Sequence, residues 1–354
     1  MVDASRKHRR ARAWRQVALL VLFVGITVSV AFGFTSPREF ATAMASASWL
    51  WIIVSALLFA ASFYVWALLF RVSFAAAQVR SRTSQLVGPI MVSIFLNTAA
   101  PVGEAIFVDH AIEHGESGAK AAAGTILSLA VDLATTIPFI AIGLVFLGSS
   151  GKLPVYYEVV SALFVFVVAL MLGTLWLAKA KRTWLEAALR WAERFVNWAR
   201  RLLRRPEKAP GDWAARSAAQ FGEAAESMAG SPGLLALAIG VGLLFHAVNA
   251  AGLYTLCLAF GQHVALGTVT AAFSMSVVLY VVAVTPQGAG PTESVMALLF
   301  TNMGVGSATA VVIAITYRIF NVWIPILAGY LIARRMRIFG GRASASKDTA
   351  GERL

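Results

Sequence analysis

Six runs of apolar residues constrain this chain more than any other feature. They fall at about 14–34, 48–70, 121–148, 156–178, 233–260 and 307–333. Each is long enough to cross a hydrocarbon core of about 30 Å, which takes roughly 20 helical residues. In lipid every backbone N–H and C=O must find its partner inside the protein, so runs of this kind fold as helices. Only 13% of the 354 residues are charged, about half the share usual in a soluble domain. The expected fold class is an all-α polytopic membrane protein with about six full spans. The first run is too long for a cleavable signal peptide and no small-residue cleavage motif follows it before Pro37, so it is expected to stay as an anchor. The single cysteine, Cys257, lies inside a span and allows neither an intrachain disulfide nor a metal cluster.

The formal net charge of +13 is confined to loops and tails. Arg6, Lys7, Arg9, Arg10, Arg12 and Arg15 precede or open the first run, Arg71, Arg80 and Arg82 follow the second, and the connection after the fourth carries basic residues from Lys179 to Arg216. Arg334, Arg335 and Arg337 follow the last. If every run crosses once, all of these fall on one side and only Arg38 and Lys152 on the other. The positive-inside rule then places both termini and the 179–231 connection in the cytoplasm. Nucleic acid is not an expected partner, because no soluble module interleaves aromatic residues with a basic face.

The cytoplasmic connection has an amphipathic pattern. Leu185, Ala188, Leu189, Ala192, Phe195, Val196, Ala199 and Leu202 share one arc of a helical wheel, and Arg190, Arg194, Arg201 and Arg205 share the opposite one. Trp184, Trp191 and Trp198 recur every seven residues along the apolar edge. Such a helix lies in the membrane interface with its tryptophans at headgroup depth, or packs on the protein's own cytoplasmic face. The stretch RRPEKAPGD, Arg204 to Asp212, ends it, and a second short helix is expected at about 213–230.

Two further apolar segments are interrupted. Residues 84–100 and 101–113 meet at Pro101, and residues 267–284 and 291–303 meet at TPQGAGPTE, Thr285 to Glu293. Charge parity requires each pair to begin and end on one side. Each is therefore expected to be a re-entrant hairpin or a pair of kinked half-spans, with two full tilted helices as the alternative, which brings the total to about eight or more transmembrane helices. Non-helical backbone at this depth survives only where it is buried in protein or lines a wet cavity. The breaks resemble each other, with Pro101-x-Gly103-Glu104 in one and Pro286-x-Gly288-x-Gly290-Pro291-x-Glu293 in the other. The first hairpin opens from the cytoplasm and the second from outside, the pattern of an inverted repeat whose site lies near the midplane. The chain thus divides into a basic cytoplasmic tail (1–13), a first membrane half (14–178, hairpin 84–113), the cytoplasmic connection (179–231), a second half (232–333, hairpin 267–303) and a basic cytoplasmic tail (334–354).

The stretches FLNTAAPVGEAI, VTPQGAGPTES and TYRIFNVWIPILAGYL resemble the membrane domain of bacterial lysylphosphatidylglycerol synthetases, also called flippase-like integral membrane proteins. The resemblance runs from about 15 to 337. It implies lipid translocation between leaflets, joined in some members to a soluble aminoacyl-transfer domain. That domain is not expected here, since nothing after Arg337 is long enough to fold. Members often carry an arginine after the Gly-Glu pair and another before the aspartate of the next helix. This chain reads Phe107-Val108-Asp109-His110 and Leu129-Ala130-Val131-Asp132 instead, which leaves the identity of the lipid open.

An ionisable group at membrane depth costs at least about 2.5–3.5 kcal/mol on insertion scales and is a functional candidate by default. Glu104, Asp132, Glu293 and Arg318 are the four that stand out. Glu104 and Glu293 are expected in the first turn of a half-helix, where they either cap it or hold a headgroup amine or a proton. Asp132 and Arg318 follow the two hairpins at equivalent places and either neutralise each other or leave Arg318 to meet a lipid phosphate. Asn97, Thr285 and Gln287 offer hydrogen bonds to freed backbone or to substrate. His246 and Asn249 share a helix face and line the same cavity or bond between helices. His110, Glu113 and His114 have metal-like spacing but fit a solvated turn better, so neither metal nor other cofactor is expected.

Transport of a polar lipid across the bacterial cytoplasmic membrane is therefore the favoured function, with anionic or zwitterionic lipids as the partners. The chain is not expected to be an enzyme. The alternative is a membrane-embedded lipid-headgroup transferase or an accessory subunit of one. No phosphate-cradling Gly-rich Lys loop, HExxH helix or Ser/His/Asp arrangement supports it, and the lack of such a loop also excludes ATP hydrolysis by this chain.

Overall fold

The computed structural model describes residues 36–98, 103–180, 213–283 and 285–335, together with Gly25, and every regular element among them is helical. The expected first span (14–34), Pro101, the amphipathic stretch 182–205 and both basic tails lie outside the described residues. The described chain begins with α1 (Pro37–Ala45), which the hydropathy pattern does not announce. Its signal is local: Ser36 accepts from the Glu39 N–H while the Glu39 carboxylate accepts from the Ser36 N–H, and Pro37 occupies the first helical position.

Four helices are long and apolar enough to cross a membrane, and they coincide with four of the six expected spans. These are α2 (Trp49–Ala76), α5 (Gly118–Ser149), α8 (Pro232–Ala259) and the composite from Ser307 to Arg335. The run expected at 156–178 is helical as α6 (Val155–Ala180). The composite consists of α11 (Ser307–Arg318), a π turn over Ile319–Trp323 and α12 (Ile324–Arg335). It is 61% buried within its most apolar window, against 28–33% for the other three, so it runs through the middle of the bundle while they keep a broad face toward lipid. Trp49, Leu50, Ile53 and Leu57 make up such a face on α2. The short cytoplasmic helix expected at 213–230 is α7 (Trp213–Ala229), tied to α5 by Lys120–Glu223 at 3.1 Å and by Ser117 donating to Gln220 at 2.9 Å.

Both interrupted segments fold as paired half-helices. The first comprises α3 (Thr83–Leu96) and α4 (Ala105–Glu113), the second α9 (Leu266–Val282) and α10 (Pro291–Asn302). At 1.5 Å per residue their 14, 9, 17 and 12 residues span about 21, 14, 26 and 18 Å. None reaches the roughly 30 Å of a hydrocarbon core by itself.

The elements of the two halves correspond in order, α2-α3-α4-α5 with α8-α9-α10-α11/α12, and the contacts exchange between them. Helices α2 and α8, 28 residues each, pack on one another. Helix α3 packs on α12, and its counterpart α9 packs on α5. A glycine on the long helix permits each of these last two contacts. A Cβ at Gly329 would run into the Met91 carbonyl of α3, and one at Gly143 would lie 2.9 Å from the Ala271 Cα of α9. Small residues where backbones cross are how membrane helices, with no hydrophobic force between them, gain close packing. Two apolar clusters form the core, one gathered around α3, α4 and α12 and the other around α9, α10 and α11.

A candidate site where two helix breaks meet

The second break is tightly wound. Pro286–Gly288 makes a single 3-10 turn in which Gln287 adopts φ +56°, and Gly288 and Gly290 follow at +66° and +91°. An L side chain with a Cβ rarely adopts such angles, so glycine is the natural residue at the latter two positions. The reversal turns the Gln287 carbonyl and the first N–H groups of α10 inward, where water cannot reach them. They are satisfied by charge. Glu293 Oε2 accepts from the Gly290 N–H at 2.8 Å, and its Oε1 accepts from Arg318 Nε at 2.8 Å. Arg318 Nη2 donates to the Gln287 carbonyl at 2.8 Å. Glu293 and Arg318 are 1% and 3% exposed, a fully buried ion pair whose remaining valences close the break around it.

The first break is satisfied differently. Asn97 ends α3, and its side chain accepts from the Gly103 N–H at 2.7 Å while donating to Glu104 Oε1 at 2.8 Å. Glu104 occupies the cap position of α4 but makes no side-chain bond to the helix backbone. One carboxylate is therefore held by an amide and the other by a guanidinium. The breaks also touch each other: Gln287 of the second donates to the Ile94 carbonyl of the first at 2.6 Å. The hydroxyl of Tyr280, on α9, bonds to the Asn97 side chain.

Beside this junction lies a cavity of about 130 Å³. Its wall draws on α2, α5, α8, α9, α11 and the π turn, and its polar lining is Asp132, His246, Asn249, Ser276, Tyr280, Gln287, Tyr317, Arg318 and Asn321, set among Phe63, Trp66, Phe245 and Phe273. Both apolar clusters contribute, so the cavity sits on the seam between the two halves. The π turn starts directly after Arg318 and carries Asn321, whose Nδ2 is buried without a hydrogen-bond partner. Single π turns inside α-helices recur at functional sites.

Over residues 16–329 the sequence matches the family described as the lysylphosphatidylglycerol synthase TM region. The chain belongs to that family. Comparison with the curated proteins gives no match.

Within this family member the sequence-derived site residues separate into two sets. Asp132 and Arg318 line the cavity, whereas Asn97, Glu104 and Glu293 stand behind its wall and hold the breaks. Of the break residues, Gly103, Gly288, Gly290 and Pro291 fall where the helices are interrupted, and Pro286 opens the 3-10 turn. Pro101 lies outside the described residues. Of the two alternatives for Asp132 and Arg318, mutual neutralisation is not what the structure shows. Arg318 pairs with Glu293, which lies on the neighbouring half-helix and faces it across the break, and Asp132 faces His246 of α8 at 3.2 Å. Glu293 caps its half-helix, as one of its two sequence readings has it, and pairs with Arg318, a partner that neither reading names.

The His110 and His114 rings lie 4.2 Å apart, tilted at 49° to one another, and no group of three metal-ligating side chains occurs among the described residues. Sequence reasoning missed Tyr280, Tyr317 and Asn321. They carry no charge and sit within apolar helices, and only the folding back of α9 and α11 brings them to the cavity.

Proposed function

We propose that the protein moves a polar lipid between the leaflets of the bacterial cytoplasmic membrane, with both termini in the cytoplasm and the two halves related as an inverted repeat. The observation that carries this reading is the junction itself. Two interrupted helix pairs, one from each half, touch through Gln287 and Ile94 beside a polar cavity in an otherwise apolar bundle. Broken half-helices at a repeat interface are the usual place for a transported polar group, and a family related to lipid-handling proteins supplies the class of cargo.

In this reading the headgroup enters the cavity, which is too small for acyl chains, and the chains stay in lipid. Asp132 meets a headgroup cation, with the faces of Trp66 and Phe245 beside it. Arg318, oriented by Glu293 and by the Gln287 carbonyl, meets the phosphate. Glu104 and Asn97 keep the first break open.

The test is a leaflet assay with purified protein in liposomes carrying a trace of acyl-labelled phosphatidylglycerol or phosphatidylethanolamine. Transport predicts faster movement with an unchanged lipid mass. A changed mass would make the protein a lipid-modifying enzyme, and a rate equal to that of empty liposomes for every headgroup tried would overturn the reading. Arg318→Lys keeps a cation and loses the two-pronged geometry, and it is expected to slow movement at least tenfold at matched protein level.

A further inference from the structure

His246 on α8 is 1% exposed. Its Nε2 faces three oxygens: the Asp132 carbonyl at 2.8 Å, the Thr136 hydroxyl at 3.2 Å and the Asp132 carboxylate Oδ1 at 3.2 Å. A backbone carbonyl can only accept, and the Thr136 hydroxyl already donates its proton to that same carbonyl at 3.2 Å. Nε2 therefore carries the ring's proton and donates it. The lone pair is left on Nδ1, which is buried with no protein partner. Oδ1 of Asp132 stands beside the ring as an ion-pair neighbour without a hydrogen bond of its own. An imidazole with one nitrogen pinned as donor, the other uncommitted and a carboxylate alongside is built to take up one proton.

The surroundings restrict what else could serve. The ring itself touches Asp132 and Thr136 of α5, and Phe139, Phe245 and Phe273 pack beside it; the shared cavity lining adds Tyr280 from α9 and Tyr317 and Arg318 from α11, with Glu293 bound to Arg318. Helix α2 brings Phe63 and Trp66 and α3 brings Ile94, while Glu104 of α4 stands behind the wall, bonded to Asn97. Arg318 and Glu293 offset one another. That leaves Asp132 as the carboxylate on the cavity wall with no cation but His246 facing it.

We propose that His246 and Asp132 form a proton-binding site on the wall of the headgroup cavity, loaded and unloaded once per transport cycle. The coupling to a cycle rests on the transport reading, while the proton site does not. Uptake forms an N–H bond at Nδ1 and turns the ring into a cation held against the Asp132 carboxylate. Release from the cavity side returns the lone pair. Because a headgroup cation and the imidazolium would compete for the same carboxylate, lipid and proton would occupy the cavity in alternation, which is the requirement for exchange of one against the other.

Two measurements separate this proposal from the transport reading. Carbon-13 ring labelling of the five histidines in full-length protein in nanodiscs, with His246→Gln for assignment and spectra recorded from about pH 5 to 8, should show a His246 ring signal that changes with pH and a change that is altered in Asp132→Asn. A His246 signal unchanged across that range overturns the proton site. In proteoliposomes with a trace of acyl-labelled phosphatidylethanolamine or phosphatidylglycerol, a two-unit pH gradient should drive the leaflet ratio of the wild type away from one, with a ceiling of about 100-fold for one proton per lipid. A wild type that moves lipid yet settles at a ratio of one, or a His246→Gln protein that still builds the ratio, overturns the coupling. A wild type that moves no lipid fails the transport reading and with it the coupling, and the histidine titration then decides the proton site by itself.

Discussion

Removing one member of the Glu293–Arg318 pair should do far more harm than removing both. The two side chains are 1% and 4% exposed, and their 2.8 Å contact is joined by further bonds to the Gly290 N–H and the Gln287 carbonyl. Breaking a buried pair leaves an uncompensated charge and costs about 3–5 kcal/mol, whereas exchanging both partners for neutral groups of similar shape is often close to neutral. Glu293→Gln keeps an oxygen for the Gly290 N–H but leaves the guanidinium without its counter-charge. Arg318→Gln strands the carboxylate and also the Gln287 carbonyl. Each single variant is expected to lower the thermal midpoint in detergent by about 5–10 °C. The double variant should recover most of that loss, giving a coupling energy of about 3 kcal/mol or more, at or above the top of the range usual for residues in contact. The readout is aggregation monitored by size exclusion after heating, run at matched detergent and lipid. If the double variant falls by the sum of the two singles, the pair is not coupled and the account of how the second break is closed is wrong.

Three further outcomes follow from the same structure. Gly103→Ala would drive a Cβ into the Ser93 carbonyl and within 2.7 Å of Asn97 Oδ1 and should sharply lower folded yield, while Gly240→Ala, with nothing within 4 Å, should be neutral or gain up to about 1 kcal/mol of helix stability, both checked by heating in detergent. Single cysteines near Lys152 and Gln262 should label from outside intact cells and one near Lys208 should not, with little background because Cys257 is buried; outside labelling at 208 would reverse the orientation. A peptide of residues 182–205 should bind anionic liposomes and lose most of that binding when Arg194→Glu is introduced or the salt is raised, and indifference to anionic lipid would show that the segment packs on protein instead.

Four of the six spans and the places of the breaks were legible in the sequence because length and apolarity alone decide what crosses a membrane, and because glycine and proline mark where a helix cannot continue. The pairing of the buried charges was not. Asp132 and Arg318 occupy matching places in the two halves, but a span's order in the chain says nothing of which half-helix folds back toward it. The reversal at Gln287–Gly290 is what delivers Glu293 to Arg318. Helix α1 was missed because nine residues are too few to cross the membrane and its apolar side, with Phe40 and Ala43, is only partly buried against the core. Its capping box, Ser36 with Glu39, was the available sign.

The two breaks share an outline and differ in charge, and the difference bears on how the site could work. In the second half the carboxylate is neutralised within the protein by Arg318, at 2.8 Å. In the first half the equivalent carboxylate, Glu104, receives a hydrogen bond from the neutral amide of Asn97 at 2.8 Å, and no ion pair forms at it among the described residues. A symmetric pair of hairpins would present equal ends to a charged headgroup. These do not: on the cavity wall α11 offers Arg318, already oriented by Glu293, and α5 offers Asp132, while Glu104 stands behind the wall with Asn97. A headgroup with separated positive and negative charges can satisfy both ends only in one orientation. A purely anionic headgroup finds one favourable end, so a zwitterionic label should compete better than an anionic one for the same cavity. Competition between unlabelled phosphatidylethanolamine and phosphatidylglycerol at equal mole fraction reads this directly, and stronger competition by the anionic lipid would mean that Arg318 outweighs Asp132.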